Sequence, residues 1–368
     1  MHIGVPRERH VDEHRVGLTP AGVELLTAAG HVCSVESDAG RGAGFSNVDY
    51  ERAGGRIVYS AEEAHGRADL VFRVGPVTEE QAAWLQPGAI VAGFLHLAAR
   101  RRTLVEVFLE KRITAIAYET IQEDDALPVL TPLSQVAGRM LPQVAARLLQ
   151  NDHGGKGILL GGVPGVPPAE VVIIGAGRVG NAAVRAFLGI GATVYVLDKD
   201  LARLQHLDET GGVGHQPVMM VAHPFNIRKV VKFADVLIGA VLVPGARAPI
   251  VVTRQMVRSM KPRSVIIDVA IDQGGCVETS RPTTHRDPTF VEEEMIHYCV
   301  PNMTSVVART ATHAFNNAMW PFMWEIARAG LDEALNRMPA LRRGVATHGG
   351  HVVNAALAAH LGVQEVTL

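Results

Sequence analysis

Four apolar residues, Val171 to Ile174, run without a gap into Gly175-Ala176-Gly177-Arg178-Val179-Gly180, and a second apolar run, Thr193 to Leu197, ends at Asp198. Glycines at this spacing have separate jobs. Gly175 permits a tight strand-to-helix turn, Gly177 lets a pyrophosphate approach the backbone, and Gly180 lets the next helix pack closely on the strand. That helix would start near Arg178, with its unpaired N–H groups and positive dipole end facing phosphates. A carboxylate roughly 20 residues beyond the glycines accepts from ribose hydroxyls and repels a 2′-phosphate. The cofactor expected from Asp198 is therefore NAD(H), although Lys199 beside it leaves room for some NADP(H) tolerance.

Three polar residues could act on a substrate. His96 follows the apolar run Ala89 to Leu95, where its imidazole could polarise a carbonyl oxygen or bond a nearby backbone group instead. Asp272, in Asp268-Val269-Ala270-Ile271-Asp272-Gln273-Gly274-Gly275, could relay protons, the alternative being a cap on the Gly274-Gly275 turn. Arg15 could grip a carboxylate through two parallel hydrogen bonds. Taken alone, it reads as a surface arginine.

The elements that must hold these groups come from apolar periodicity and breakers. Strand and helix signals alternate from Met1 to Tyr118, with Thr19-Pro20 as a helix start, which reads as a parallel α/β domain. Ser134 to Gln150 is a long helix candidate that Pro142 should kink, and the first crossing between domains falls in it. Alternation resumes through Ala234 to Ile238, Val265 to Val269 and His297 to Val300, and the chain then reads as helical from Ser305. Too helical to stand alone, that tail returns most economically to the first domain. The expected architecture is α/β, with two Rossmann-like domains built on parallel sheets. The nucleotide domain, 131–304, is inserted into a discontinuous substrate domain, 1–130 and 305–368, with a cleft between them.

Composition narrows the partners. A length of 368 residues suits two domains, and a net charge of −2 gives no electrostatic case for nucleic acid or an anionic membrane. Cys33, Cys276 and Cys299 are too few and too scattered for a disulfide framework, and with charged residues at the N-terminus the expected location is cytoplasmic. No metal is expected, since His10/His14 and His348/His351 lack a strand or helix context with acidic or cysteine partners. Glu292-Glu293-Glu294 reads as a solvated helix start. Trp320 and Trp324, four apart, read as core or interface.

Taken in order, GVPRE, HRVGLTPAGV, FLHLA, AYET, LSQVAGR, GGVPGV, VVIIGAGRVG, IGAVLVPGARAP, DVAIDQGGC and SRPTTH span nearly the whole chain. In these stretches the chain resembles the alanine dehydrogenases, which share their fold with the NAD-binding part of nicotinamide nucleotide transhydrogenase. The resemblance implies reversible, NAD-dependent conversion of L-alanine to pyruvate and ammonia by a homo-oligomer, commonly a hexamer. It further implies that Arg15 binds the substrate carboxylate, His96 bonds the keto oxygen, and Asp272 handles protons at the hemiaminal and imine stages. Ser134, Gly177, Val179, Asp198, Val269, Asn302 and Met303 would contact the cofactor, together with the turn glycines Gly175 and Gly180.

One departure stands out. The family's Lys-Val-Lys-Glu-Pro run, whose second lysine binds the substrate carboxylate, reads Arg73-Val74-Gly75-Pro76 here. Losing that donor should cost on the order of 1.5–3 kcal/mol. On a strand Arg73 would share a face with Gly75 and could reach in. Alanine is the default substrate. A larger amino acid, another amine, a preformed imine, or a non-catalytic NAD-binding role stay open, and a transhydrogenase role is disfavoured by the absence of a membrane or NADP-binding continuation.

Overall fold

The computed structural model describes residues 1–210, 216–243 and 247–368. Part of the IGAVLVPGARAP stretch, at 244–246, lies outside the described residues. The chain divides into two compact units, Met1–Leu133 with Ser305–Leu368, and Ser134–Thr304.

In the first unit β1 (His2–Val5), β2 (Val32–Glu36), β3 (Arg56–Val58), β4 (Leu70–Phe72), β5 (Ile90–Gly93) and β6 (Thr114–Ala117) are parallel, in the order β3-β2-β1-β4-β5-β6. Strands buried on both faces need apolar residues at every position, and here successive residues serve different cores. Leu70, Phe72, Ile90, Ala92 and Ile116 pack on one side. Val71, Val91, Ala115 and Ala117 pack on the other. The long helix Ala308–Ala329 covers the first of these faces with Phe315, Met319, Phe322 and Ile326. Trp320 and Trp324 stack with centroids 5.5 Å apart, half-buried at the rim of that core.

The second unit repeats the plan. Strands β7 (Glu170–Ile174), β8 (Thr193–Asp198), β9 (Val218–Val221), β10 (Val236–Gly239) and β11 (Val265–Asp268) are parallel, β12 (Thr289–Glu292) is an antiparallel edge, and β13 (Met295–Tyr298) is parallel to β11. Their order is β12-β13-β11-β10-β7-β8-β9. In both units the strand order reverses beside the first strand, between β1 and β4 and between β7 and β10. At such a switch point the connections leave on opposite sides of the sheet, and ligands bind at the carboxyl ends of the strands.

Three expectations change. The helix expected from Ser134 spans Leu130–Leu148, beginning four residues earlier because Leu130 and Leu133 pack into the first unit's core. The glutamates at 292–294 form a hairpin turn between β12 and β13, with Glu293 and Glu294 at φ of 50° and 66°. Arg254 bonds Glu292 and Glu293, and Arg258 bonds Glu293, which offsets the clustered charge. The tail is also not wholly helical. β14 (Val345–His348) and β15 (His351–Val352) form a hairpin through the left-handed Gly349 and Gly350, and β14 pairs antiparallel with β6. His348 and His351 thus do lie opposite each other on strands. His348 Nδ1 is 3.0 Å from Thr114 Oγ1, and among the described residues no group of metal-ligating side chains forms.

Candidate active site

In the second unit the glycine turn leaves β7 at the switch point. Gly175 has φ +108°, and a Cβ there would stand 2.4 Å from the Ala240 carbonyl at the end of β10. A Cβ on Gly180 would meet the Gly175 carbonyl at 1.8 Å, so the Arg178–Ile190 helix packs directly on the turn. Gly177 is different. It is the N-cap with no side-chain hydrogen bond, and among the described residues a Cβ on it would find only Arg203 Nη1, at 4.0 Å. The helix thus starts on a bare backbone, a setting that suits a phosphate.

Asp198 holds the rim of this site. Its Oδ2 accepts from the Ala176 N–H at 2.6 Å and its Oδ1 from the Asp200 N–H at 2.9 Å, so one carboxylate ties the end of β8 to the turn. Two lone pairs remain for hydroxyl donors. Arg203 Nη1 stands 3.7 Å from Oδ2 and was not foreseen from the sequence. Val179 is half-buried, and its carbonyl faces Gly138 of the Leu130–Leu148 helix, where a Cβ would come within 2.5 Å. Ser134 lies one turn before Gly138 on the same helix face.

The loop after β11 carries the remaining residues of this unit. Val269 opens a short 3-10 turn that includes Asp272, whose Oδ1 accepts the Asn302 N–H at 3.2 Å. Asn302 is left-handed, with φ 51°, and Met303 next to it is buried. The Gly274 and Gly275 N–H groups donate to the Ile271 and Ala270 carbonyls, and Asp268 accepts the N–H groups of Ala270, Cys276 and Val277. Burial raises the Asp268 carboxyl despite these bonds.

In the first unit the strand ends at the β1/β4 switch point carry the acid-binding candidates. Arg15 is not a surface residue. Its Nε and Nη2 donate to Glu13 Oε1 and Oε2 at 2.7 and 2.6 Å, and both side chains are 4% exposed. Burial alone would raise the Glu13 carboxyl, but the Arg15 guanidinium and N–H hold it below the usual carboxylate range. His96 follows β5 in a left-handed conformation, φ 46°, and its N–H donates to Glu119 Oε1 at 2.6 Å. The same oxygen lies 3.6 Å from His96 Nδ1, and the ring is 42% exposed. Glu13 and Glu119 were not foreseen from the sequence, although Glu119 stands inside the AYET stretch. An acid two residues before an arginine was the available signal for Glu13.

Arg73 requires a correction. It does share the Glu8 side of its segment with Gly75, but its guanidinium points into the interior. Nη2 donates to Glu8 Oε2 at 2.9 Å, Nη1 donates to Gln81 Oε1 at 2.6 Å, and Nη1 lies 3.2 Å from His65 Nε2. Glu8 also accepts the Val74 N–H. Burial and the Arg73 charge push the His65 imidazole down to about 4, so it is neutral, with Nδ1 against the Ala61 carbonyl. A buried cation with its partners in place is a strut, and using it on a substrate would strand Glu8.

Comparison with known proteins identifies the family. Residues 4–137 match the family described as "Alanine dehydrogenase/PNT, N-terminal domain", and residues 142–355 match its "C-terminal domain". The chain is 45% identical over 360 residues to the alanine dehydrogenase of Methanococcus maripaludis, covering 97% of this chain and 96% of the relative. It is 46% identical over 367 residues to that of Bacillus subtilis, covering 100% and 96%. A solved L-alanine dehydrogenase superposes with a TM-score of 0.92 at 42% identity, over 98% of this chain and 99% of the other. A transhydrogenase from Sinorhizobium meliloti shares the fold, with a TM-score of 0.80 at 23% identity over 97% and 100%. With both of its units matched in order, the chain belongs to the alanine dehydrogenase/PNT family.

Proposed function

We propose that this chain is an NAD-dependent amino-acid dehydrogenase that interconverts L-alanine with pyruvate and ammonia. The observation that carries the reading is the pair of switch points, one presenting a bare glycine turn beside Asp198 and the other a buried Arg15–Glu13 clamp after β1, with His96 after β5 of the same sheet. The full-length likeness to proteins named alanine dehydrogenase supports it.

NAD⁺, when bound, supplies the hydride acceptor. The chain would hold it through the helix N–H groups beyond Gly177 and through Asp198, with Ser134, Val179, Val269, Asn302 and Met303 around it. Arg15 anchors the substrate carboxylate, with Glu13 fixing the orientation of the guanidinium. His96 donates to the keto or hydroxyl oxygen and stabilises charge developing there, with Glu119 steering its ring. Asp272 takes and returns protons as ammonia adds to the carbonyl carbon and water leaves. The resemblance further implies a cytoplasmic hexamer, which sedimentation of the purified protein would check.

Gly75 favours a second reading, a larger 2-oxo acid, because a Cβ there meets its neighbours only at ordinary contact distance. NADH oxidation with a panel of 2-oxo acids, each with and without ammonium, separates the two. The proposal expects oxidation only when both are present, with pyruvate the best acid. Oxidation without ammonium contradicts it.

A further inference from the structure

The acid clamp of the first unit is electrically matched before a substrate arrives. Arg15 faces Glu13 through two donors, and Glu13 is held in its charged form. Holding a carboxylate firmly beside that pair calls for another donor. Gly75 supplies no side chain, and Arg73 is committed to Glu8 and Gln81.

A side chain at residue 75 would meet two groups, Glu8, which is committed to Arg73 and the Val74 N–H, and His10. A Cβ on Gly75 would stand 3.5 Å from Glu8 Oε2 and 3.5 Å from His10 Cδ2. His10 is exposed, and its charge acts on the Glu13 carboxylate that fixes Arg15. Its backbone is well anchored. The Glu13 N–H donates to the His10 carbonyl at 3.1 Å, Asp12 sits at φ 60°, and Ser305 Oγ donates to the Asp12 carbonyl at 2.8 Å. An outward imidazole on a pinned turn, next to the clamp and beside a missing side chain, is not used by the chemistry proposed above.

We propose that His10 is the second substrate-binding group of the first unit, its imidazole donating to the carboxylate held by Arg15 from the place that Gly75 leaves open. This rests on the dehydrogenase reading. His10 then sets affinity for the 2-oxo acid and has no part in binding the nucleotide.

The test is a double-mutant cycle on the full-length protein, in steady-state reductive amination with the 2-oxo acid that the parent uses best. His10→Ala raises the KM for that acid roughly tenfold, with kcat within about threefold and NADH affinity unchanged. Gly75→Lys then lowers the KM roughly tenfold in the His10→Ala background and by less than about threefold in the parent, because both side chains serve one carboxylate. A KM that moves less than about twofold in His10→Ala, or a Gly75→Lys effect equal in both backgrounds, overturns the inference while leaving the dehydrogenase reading intact. A parent that turns over no 2-oxo acid with ammonium overturns both.

Discussion

One substitution made at two glycines of the same turn should give opposite phenotypes. At Gly177 an added methyl meets nothing among the described residues nearer than Arg203 Nη1 at 4.0 Å, and φ of −67° suits alanine. The unfolded chain loses freedom worth about 0.4–1 kcal/mol, which roughly offsets the poorer N-cap. Gly177→Ala should therefore melt within about 2 °C of the parent. Its methyl stands where a phosphate must approach, and losing one charged hydrogen bond costs about 1.5–3 kcal/mol, so NADH should bind roughly ten- to a hundredfold more weakly. At Gly180 the methyl would lie 1.8 Å from the Gly175 carbonyl. Backbone cannot yield as a side-chain tip can, so an overpacking cost near the top of the usual range, about 3 kcal/mol, should lower the melting temperature of the second unit by roughly 6–12 °C. Calorimetric melting and NADH titration of both variants make the comparison. A Gly177→Ala protein that binds NADH like the parent would refute the phosphate role of the turn, and an unshifted Gly180→Ala melt would refute the packing argument.

Other consequences can be checked alongside. His96→Gln and Asp272→Asn should each lower kcat by about two to four orders of magnitude with NADH affinity within about twofold, measured by steady-state rates and titration; a loss confined to NADH binding would contradict the assigned roles. Arg73→Met should strand the Glu8 carboxylate in the interior and destabilise the first unit by about 3–5 kcal/mol in denaturant unfolding, whereas an unchanged stability with a raised KM would return Arg73 to the substrate. Acid should weaken the second unit through Asp235. Burial tends to raise this carboxyl, but the Glu170 N–H, Lys156 and Lys261 hold it below its usual value. A depressed carboxylate contributes stability above its unfolded value near about 4 and loses it as pH falls further. The melting difference between the parent and Lys156→Met should therefore shrink from about pH 6 to about pH 3, and a constant difference would count against the pairing.

The glycine turn of the second unit was legible because its demands are written in the local backbone. A left-handed Gly175, a bare Gly177 and a contact-limited Gly180 each exclude side chains for a reason that spacing encodes. The candidate substrate residues were only partly legible. Arg15, His96 and Asp272 could be named, but their partners Glu13, Glu119 and Asn302 come from pairing decided by tertiary structure, as does the turn of Arg73 into the interior. Strand errors have the same origin. Val345–His348 and His351–Val352 are too short to show a period and are strands because β6 offers an open edge. The glutamates at 292–294 look like a helix start until Arg254 and Arg258, nearly 40 residues earlier in sequence, come alongside.

The central claim is that the chain joins ammonia to an oxo acid while consuming NADH. Incubating the purified protein with isotopically labelled ammonium, pyruvate and NADH, and weighing the products by mass spectrometry, tests it most directly. One labelled L-alanine should form for each NADH oxidised. NADH consumed with the label left in ammonium, or none consumed with any oxo acid, would contradict it.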